Sequence, residues 1–274
     1  MPDAPPPADH TDPVRADGVR GTPRDLALTG ERTLPGVPDE NYWFQRHVVA
    51  YELGAELATA SGVETVLDAG CGEGYGLAML AATGLSRVVG VDLDEAAVAH
   101  AGARYGLNPA IEVHAAELMA LPLDDDAIDL TVSFQVIEHL HDIPGYLRAL
   151  RRVTRNGGVV AIATPNRLTF TPGSDVPVNP FHTREFTAAE LHEELTTAGL
   201  EVQRLLGVHH GDRLRGIEAA AGRPLTDLLT EATPDAWPSW VRRTVHAVRP
   251  SWFELRDDAL DASLDLVAVC RVVG

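Results

Sequence analysis

The chain has 274 residues, of which 45% are hydrophobic, and a formal charge of −18. This length and composition allow one full hydrophobic core with shorter appended segments, and no apolar run approaches a membrane span. The negative charge disfavours a nucleic-acid partner, which needs clustered positive charge, and suits a neutral or cationic ligand. All 22 basic residues are arginine, so chemistry that depends on a Schiff-base, pyridoxal phosphate or Walker-A lysine is excluded.

The N-terminal region is expected to lie outside the core. Residues 1–27 are rich in Pro, Asp and Gly, which predicts a disordered tail. The N-terminus has neither an apolar signal core nor a basic flank, and Cys71 and Cys270 are too few for a disulfide framework. These features favour a cytoplasmic protein without a membrane partner, and they leave a homodimer open.

Residues 28–62 are expected to form an N-terminal flap and helix. Their apolar pattern predicts a helix from about Glu40 to Ala60. Polar and aromatic residues gathered here suggest a flap that closes over a cofactor, with Arg46 in contact with it. Packing of Trp43 and Phe44 on the sheet is an equally good interpretation. The flap candidates are Glu31, Arg32, Asn41, Tyr42, Trp43, Phe44, Arg46 and His47.

The stretch VLDAGCGEGYG, residues 66–76, runs from an apolar strand into a turn with alternating glycines. Such glycines allow a tight turn and bring backbone amides against a ligand. The dinucleotide fingerprint fails, because Tyr75 stands where its third glycine would be. Asp68 would repel a diphosphate but could accept hydrogen bonds from an ammonium or lie near a sulfonium. The pattern favours a cationic amino-acid nucleoside, although a purely structural turn stays open. The predicted ligand-facing glycines are Gly70, Gly72 and Gly74.

This stretch resembles the first motif of class I S-adenosylmethionine-dependent methyltransferases. The matching strand, acidic residue and GxGxG turn are Leu67, Asp68, Gly70, Gly72 and Gly74. The resemblance, which extends over about residues 65–166, implies S-adenosyl-L-methionine as the cofactor. Together with the βαβ alternation it implies an α/β, Rossmann-like sheet of seven strands, the last antiparallel, with helices on both faces.

Further cofactor contacts are expected after the second, third and fourth strands. The second strand ends in Asp92, 22 residues after Gly70, where such folds hold the ribose hydroxyls; a solvated aspartate is the alternative. Glu117 and Leu118 match the family positions that accept the adenine amine and cover its ring. The remaining predicted contacts are Leu93 and Gln135.

The predicted fourth strand, Ile128 to Phe134, runs into QVIEHLHD, which would crowd the sheet edge where open α/β sheets bind ligands. Methyl transfer from a sulfonium is an in-line displacement in which placement matters most. A sugar hydroxyl is a poor nucleophile, so it needs a base or a metal, and imidazole is the first choice of base. The catalytic candidates are His139, His141 and His182, with Glu138 or Asp142 orienting one of them.

Glu138, His139 and His182 also resemble part of the magnesium site of small-RNA 2'-O-methyltransferases and ubiquinone O-methyltransferases, whose pattern runs E-x-x-E-H. Gln135 replaces the first glutamate, which removes one hard oxygen ligand. Mg²⁺ is therefore one alternative, and a structural role for His139 at a strand-helix junction is another.

The rest of the core is predicted from pattern. A helix from Ile143 to Val153 is expected to stop at residues 156–158, Asn-Gly-Gly, before a fifth strand. Thr187 is expected to cap a helix with Glu190 in a capping box. The methyltransferase core spans 63–208, and 263–274 supply the final strand.

Residues 209–262 are predicted to form an inserted acceptor lid over the crevice, whose tryptophans could stack on a sugar ring or pack in a core. The segments GERTLPG and ENYWFQRH resemble actinobacterial polysaccharide methyltransferases, in particular the methylmannose polysaccharide 1-O-methyltransferases. This resemblance implies a small-molecule or oligosaccharide acceptor methylated on a sugar hydroxyl, such as the 1-O position of a mannoside. The alternatives are O- or N-methylation of an aromatic metabolite or quinone, and a non-catalytic S-adenosylmethionine-binding regulator.

Overall fold

The computed structural model describes residues 32–60 and 62–274. The predicted tail and Glu31 lie outside these residues. The strands are β1 (Thr65–Ala69), β2 (Arg87–Asp92), β3 (Ile111–Ala115), β4 (Ile128–Phe134), β5 (Thr154–Pro165), β6 (Leu200–His210), β7 (Phe253–Arg256) and β8 (Asp265–Val272). The helices are α1 (Asn41–Ala58), α2 (Tyr75–Ala81), α3 (Glu95–Tyr105), α4 (Ile143–Val153), α5 (Arg167–Phe170), α6 (Ala188–Thr197), α7 (Asp212–Ala221), α8 (Leu225–Thr230) and α9 (Ser239–Ala247).

Within the described residues the strands form one mixed sheet in the order β3-β2-β1-β4-β5-β8-β6-β7. The strands β3, β2, β1, β4 and β5 are parallel to one another, and β8 inserts antiparallel between β5 and β6. The antiparallel final strand was expected. The polarity brings the carboxyl ends of β1, β2 and β4 to one edge, where the chain order reverses and a ligand crevice forms.

The sheet has eight strands rather than the predicted seven. The additional strand, β7, lies within the segment predicted to be a lid, and it pairs antiparallel with the end of β6. A strand of four residues offers too little alternation to be recognised from sequence. Its position is determined by its partner, because β6 continues to His210, past the predicted core boundary at 208.

The helix before β5 ends earlier than the glycines that were expected to stop it. Thr154 has extended backbone, with φ −86° and ψ 124°, and its hydroxyl donates to the Leu150 carbonyl at 2.8 Å. The Asn-Gly-Gly stretch lies inside β5, beside a shift in register against β4. The predicted capping box is confirmed: Thr187 and Glu190 bond each other's backbone N–H groups at the start of α6.

Two apolar layers cover the faces of the sheet. One includes residues of α1, α2 and the 209–262 segment, and the other includes α4 and α6. Trp237 and Trp252 are buried in the first layer, and the rings of Trp43 and Trp237 lie 6.2 Å apart. Among the described residues, no helix combines the length and apolarity needed to cross a membrane.

Candidate active site

A cavity of about 460 Å³ opens at the carboxyl edge of the parallel strands, a size within the usual range for small-molecule sites. Its lining includes Gly70, Gly72, Asp92, Leu93, Glu117, Leu118, Gln135 and His139 from the predicted set. Six other predicted residues, Arg46, Asp68, Gly74, Glu138, His141 and His182, do not line it. The lining also contains no residue of 209–262, so the acceptor-lid role of that segment stays a prediction.

The glycine turn is shaped by close contacts that only glycine permits. Gly70 has a φ of 88°, and a Cβ there would lie 2.4 Å from Cγ2 of Val136. A Cβ on Gly76 would lie 2.0 Å from the ring of Tyr51. Gly72 differs, because its φ is 52° and no atom lies within 4 Å of its Cβ position. The backbone at Gly72 therefore faces open space in the cavity.

Asp92 anchors this turn at the edge of the cavity. One carboxylate oxygen accepts from the N–H of Gly72 at 2.8 Å, and the other accepts from the N–H of Asp94 at 2.9 Å. Asp94 in turn caps α3 and binds the Arg32 guanidinium at 2.6 Å. The chain thus brings two carboxylates, those of Asp92 and Asp94, and the flap residue Arg32 to one end of the cavity.

Asp68 lies behind the cavity wall rather than in it. Its side chain is fully buried, and both carboxylate oxygens accept from the Tyr51 hydroxyl, at 3.1 and 3.2 Å. Burial raises the pKa of Asp68 to about 7. Tyr51 lines the cavity, so this phenol lies between the Asp68 carboxylate and the open space.

Arg46 and His47 are neighbours in α1, but only His47 lines the cavity. Arg46 is buried, and its Nε lies 2.8 Å from Oδ2 of Asp265. His47 lines the cavity instead, with Nδ1 3.3 Å from the Thr33 hydroxyl. Burial, aided by the Arg46 charge, lowers the pKa of His47 to about 3, so the imidazole is neutral. The sequence placed both residues in the flap and predicted Arg46 as the cofactor contact, whereas in the structure His47 lines the cavity.

Two aromatic residues of the flap pack against other side chains, whereas two polar residues line the cavity. Trp43 packs against Trp237, and Phe44 packs against Tyr75 with ring centroids 4.9 Å apart. The packing interpretation therefore describes these two side chains. Arg32 and Thr33, by contrast, line the cavity as a flap would.

The opposite end of the cavity is built from the residues that follow β4. His139 lines it, and its Nδ1 lies 3.0 Å from the Phe181 carbonyl. A carbonyl can only accept, so we assign the imidazole hydrogen to Nδ1 and a lone pair to Nε2. Glu138 beside it is buried and accepts from the Thr164 hydroxyl at 2.9 Å. Burial raises the pKa of Glu138 to about 8.

The other two candidate histidines differ from His139. His141 is exposed. The ring of His182 is held on both nitrogens, by the Glu185 carboxylate at 2.8 Å and the Asn179 amide nitrogen at 3.0 Å. His182 is thus suited to supporting His139, whose ring it meets edge-on with centroids 5.0 Å apart.

The three residues predicted as metal ligands do come together. Possible ligand atoms of Glu138, His139 and His182 all lie within 4.8 Å of one another. Oε1 of Glu138 is buried and makes no hydrogen bond to any described residue. One carboxylate and two imidazoles, however, offer fewer oxygens than Mg²⁺ prefers. Magnesium is a poor fit to this donor set, and the cluster stays a prediction as a metal site.

Comparisons with known proteins agree with this geometry. Residues 67–162 match the methyltransferase domain family. The chain is 48% identical over 258 residues to a probable S-adenosylmethionine-dependent methyltransferase of Mycolicibacterium smegmatis, covering 92% of this chain and 98% of that protein. The chain belongs to the S-adenosylmethionine-dependent methyltransferases.

Two further comparisons support the assignment. The methyltransferase is 44% identical over 254 residues to a probable S-adenosylmethionine-dependent methyltransferase of Mycobacterium tuberculosis, covering 90% of each chain. Its fold is similar to that of a methyltransferase solved in complex with the Haloferax volcanii Trm112 activator. That match has a TM-score of 0.61 and 20% identity, and covers 86% of this chain and 94% of the other. The Rossmann-like methyltransferase fold is therefore confirmed, with eight strands.

The cavity has the donors and acceptors that this cofactor needs. When bound, S-adenosyl-L-methionine supplies a methyl group carried on a sulfonium. Gly72 leaves room for close approach, while Asp92 and Glu117 offer carboxylates to hydroxyl and amine donors. Leu118 offers an apolar surface to a flat ring. One end of the cavity therefore offers groups that fit a methyl donor, and His139 lies at the other end.

Proposed function

We propose that this methyltransferase methylates a hydroxyl group of a sugar or polysaccharide, with the 1-O position of a mannoside as the first candidate. One observation carries the proposal: the cavity that holds the cofactor residues also contains His139, whose Nδ1 is bonded to the Phe181 carbonyl. In that tautomer Nε2 can accept a proton. An aliphatic hydroxyl needs such a base, whereas positioning is the main requirement for a stronger nucleophile.

The surroundings of His139 support a neutral, partly apolar acceptor. Phe181 is 41% exposed next to it, and aromatic faces pack well against sugar rings. The formal charge of −18 does not repel an uncharged glycan. The insertion tryptophans Trp237 and Trp252 are buried in the core, so we assign the stacking surface to Phe181. We also propose that the enzyme works in the cytoplasm on a small-molecule or oligosaccharide acceptor.

The test is a methyl-transfer assay with the purified enzyme and S-adenosyl-L-methionine. The acceptor panel contains mannosides, mannose oligosaccharides, glucosides, phenols and quinones. We expect methylation of a mannose-containing acceptor, with nuclear magnetic resonance identifying the methylated oxygen. Methylation of phenols or quinones alone would contradict the proposal and favour the aromatic alternative.

The same assay tests the metal prediction. Each active acceptor is measured with Mg²⁺, Mn²⁺ or Zn²⁺ and with a chelator. A metal at Glu138, His139 and His182 would be supported if chelator abolishes the activity and one cation restores it, and if that cation restores no activity in Glu138→Gln. Unchanged activity in chelator would rule out the metal prediction and leave His139 as the proposed base.

A further inference from the structure

Gln135 stands where β4 ends at the cavity, in a conformation that glutamine rarely adopts. Its φ is 58°, in the left-handed region, and its N–H donates to the Ala163 carbonyl at 2.8 Å. A residue other than glycine is kept in such a conformation only when the surrounding structure determines it. The position of Gln135 is therefore determined by its tertiary contacts.

A buried ion pair lies next to this residue. Arg46 of α1 lies 2.8 Å from Asp265, the first residue of β8, and the two side chains are 5% and 2% exposed. Oδ1 of Asp265 accepts from Nε2 of Gln135 at 3.4 Å. Removing two charges from water is costly, so such a pair is weak evidence of stabilisation and directs attention to another role.

The hydrogen bond fixes which way the Gln135 amide points. Burial raises the pKa of Asp265, and the adjacent Arg46 charge opposes that shift and favours the ionised form. An ionised carboxylate only accepts, so the glutamine turns its NH₂ group toward Asp265 and its carbonyl oxygen away from it. Nε of Arg46 lies 2.8 Å from the other oxygen of Asp265 as an ion pair without a hydrogen bond between the two atoms, so the Arg46 charge favours this placement of the carboxylate. Gln135 lines the cavity, whereas neither member of the ion pair does.

We propose that the Arg46–Asp265 pair is a positioning device that fixes the Gln135 amide so that its carbonyl oxygen accepts from a hydrogen-bond donor of the bound ligand. That donor is either the acceptor hydroxyl or the ammonium group of S-adenosyl-L-methionine, which offer the same chemistry. Asp265 is thus a positioning residue, and Gln135 determines specificity. If the donor is the acceptor hydroxyl, this inference rests on the proposed function. If the donor is the cofactor ammonium, it needs only the family assignment.

The experiment separates the two sources of the donor. Calorimetry measures the Kd of S-adenosylhomocysteine, and steady-state kinetics measures KM and kcat for a mannoside that the wild-type enzyme methylates. Gln135→Met removes the carbonyl but leaves the ion pair intact. We expect one of the two affinities to weaken about fivefold, since a hydrogen bond is worth about 1 kcal/mol. A weaker Kd assigns the donor to the cofactor, and a raised KM assigns it to the acceptor.

Asp265→Asn tests the positioning role. An asparagine can present either its oxygen or its nitrogen, so the Gln135 amide is free to turn over, and the same affinity should weaken. Because Asp265 acts through Gln135, adding Asp265→Asn to Gln135→Met should have no further effect on that affinity. If Asp265 had only a structural role, Asp265→Asn would weaken the affinity by the same factor in the Gln135→Met background as in the wild-type enzyme. That result would overturn the proposal.

Asp129→Asn is the matched control. Asp129 pairs with Arg155 at 2.5 Å, next to the start of β1 and so at the opposite edge of the sheet; both affinities should stay at the wild-type values. If Asp265→Asn does not fold, Gln135→Met decides: an unchanged Kd and an unchanged KM overturn the proposal. A wild-type enzyme that methylates no sugar contradicts the proposed function instead. The calorimetric result then decides alone, and an unchanged Kd overturns the proposal.

Discussion

The two ends of the cavity are built in different ways. The cofactor end is mostly backbone: glycines with positive φ, and Asp92 bonded to the N–H of Gly72. Behind the end that contains His139 lie buried side chains from separate segments, among them Glu138 and Glu185. Backbone shape tolerates little change at any position, whereas a side-chain network concentrates its chemistry in a few groups. Substitutions at the glycine turn should therefore weaken cofactor binding, and substitutions at the end that contains His139 should lower kcat.

The largest effect is expected from His139→Ala. Loss of a general base usually lowers the rate by about 10²- to 10⁴-fold, so kcat should fall in that range. The Kd of S-adenosylhomocysteine should change little. Methyl-transfer kinetics and calorimetry on the same preparation measure both.

His192→Ala is the control for that variant, because His192 is exposed on α6. His141→Ala should also stay close to wild type, since this side chain is exposed and does not line the cavity. A loss at His141 equal to that at His139 would show that the base has been assigned to the wrong residue.

At the cofactor end, Gly70→Ala should disrupt the turn. Its Cβ would meet Val136 at 2.4 Å with φ at 88°, and overpacking with left-handed strain costs about 2–4 kcal/mol. Urea unfolding should show this loss, and S-adenosylhomocysteine should bind at least ~30-fold more weakly, as displaced binding groups cost up to ~100-fold.

Gly102→Ala provides the comparison in α3, where a Cβ meets nothing within 4 Å. It should raise stability by about 0.5–1 kcal/mol and leave binding unchanged. Equal effects of the two substitutions would contradict the close-contact explanation.

A smaller loss of binding is expected from Asp92→Ala. Hydrogen bonds to a charged group contribute about 1.5–3 kcal/mol, which corresponds to a ~10- to 150-fold increase in the Kd of S-adenosylhomocysteine. Glu95→Ala, at the first residue of α3 and outside the cavity lining, should leave the Kd unchanged. If Asp92→Ala binds like wild type, the ribose assignment is wrong.

The smallest effect concerns stability and pH. Burial raises the pKa of Glu138 from 4.5 to about 8, so folding favours its protonated form. The stabilisation that this group contributes is complete below pH 4.5 and is lost as the pH rises to 8. Relative to Glu138→Gln, the wild-type free energy of unfolding should fall by up to about 1.4 kcal/mol per pH unit across that window.

Urea unfolding at several pH values between 5 and 8 measures this difference. For Glu193→Gln, at an exposed position on α6, the free energy of unfolding plotted against pH should run parallel to the wild-type curve. A Glu138→Gln curve that is also parallel would mean that the buried carboxyl keeps its ordinary pKa.

Local pattern predicted much of the core. The bounds of β4 and α4 and the capping box of α6 agree with the structure, because each depends on residues within a few positions of one another. The glycine turn and Asp92 were found for the same reason. The short β7 was missed, since it exists by pairing with β6.

The sequence by itself determined the family, the cofactor and the backbone turn that would bind it, because these rest on backbone geometry encoded in adjacent residues. Only the tertiary structure decided that His47 rather than Arg46 lines the cavity, that Tyr51 covers Asp68, and that Asp265 reaches Gln135. Asp265 lies 130 positions from Gln135 in the chain. Contacts at that separation follow from how helices and strands pack, and no spacing rule along the chain contains them.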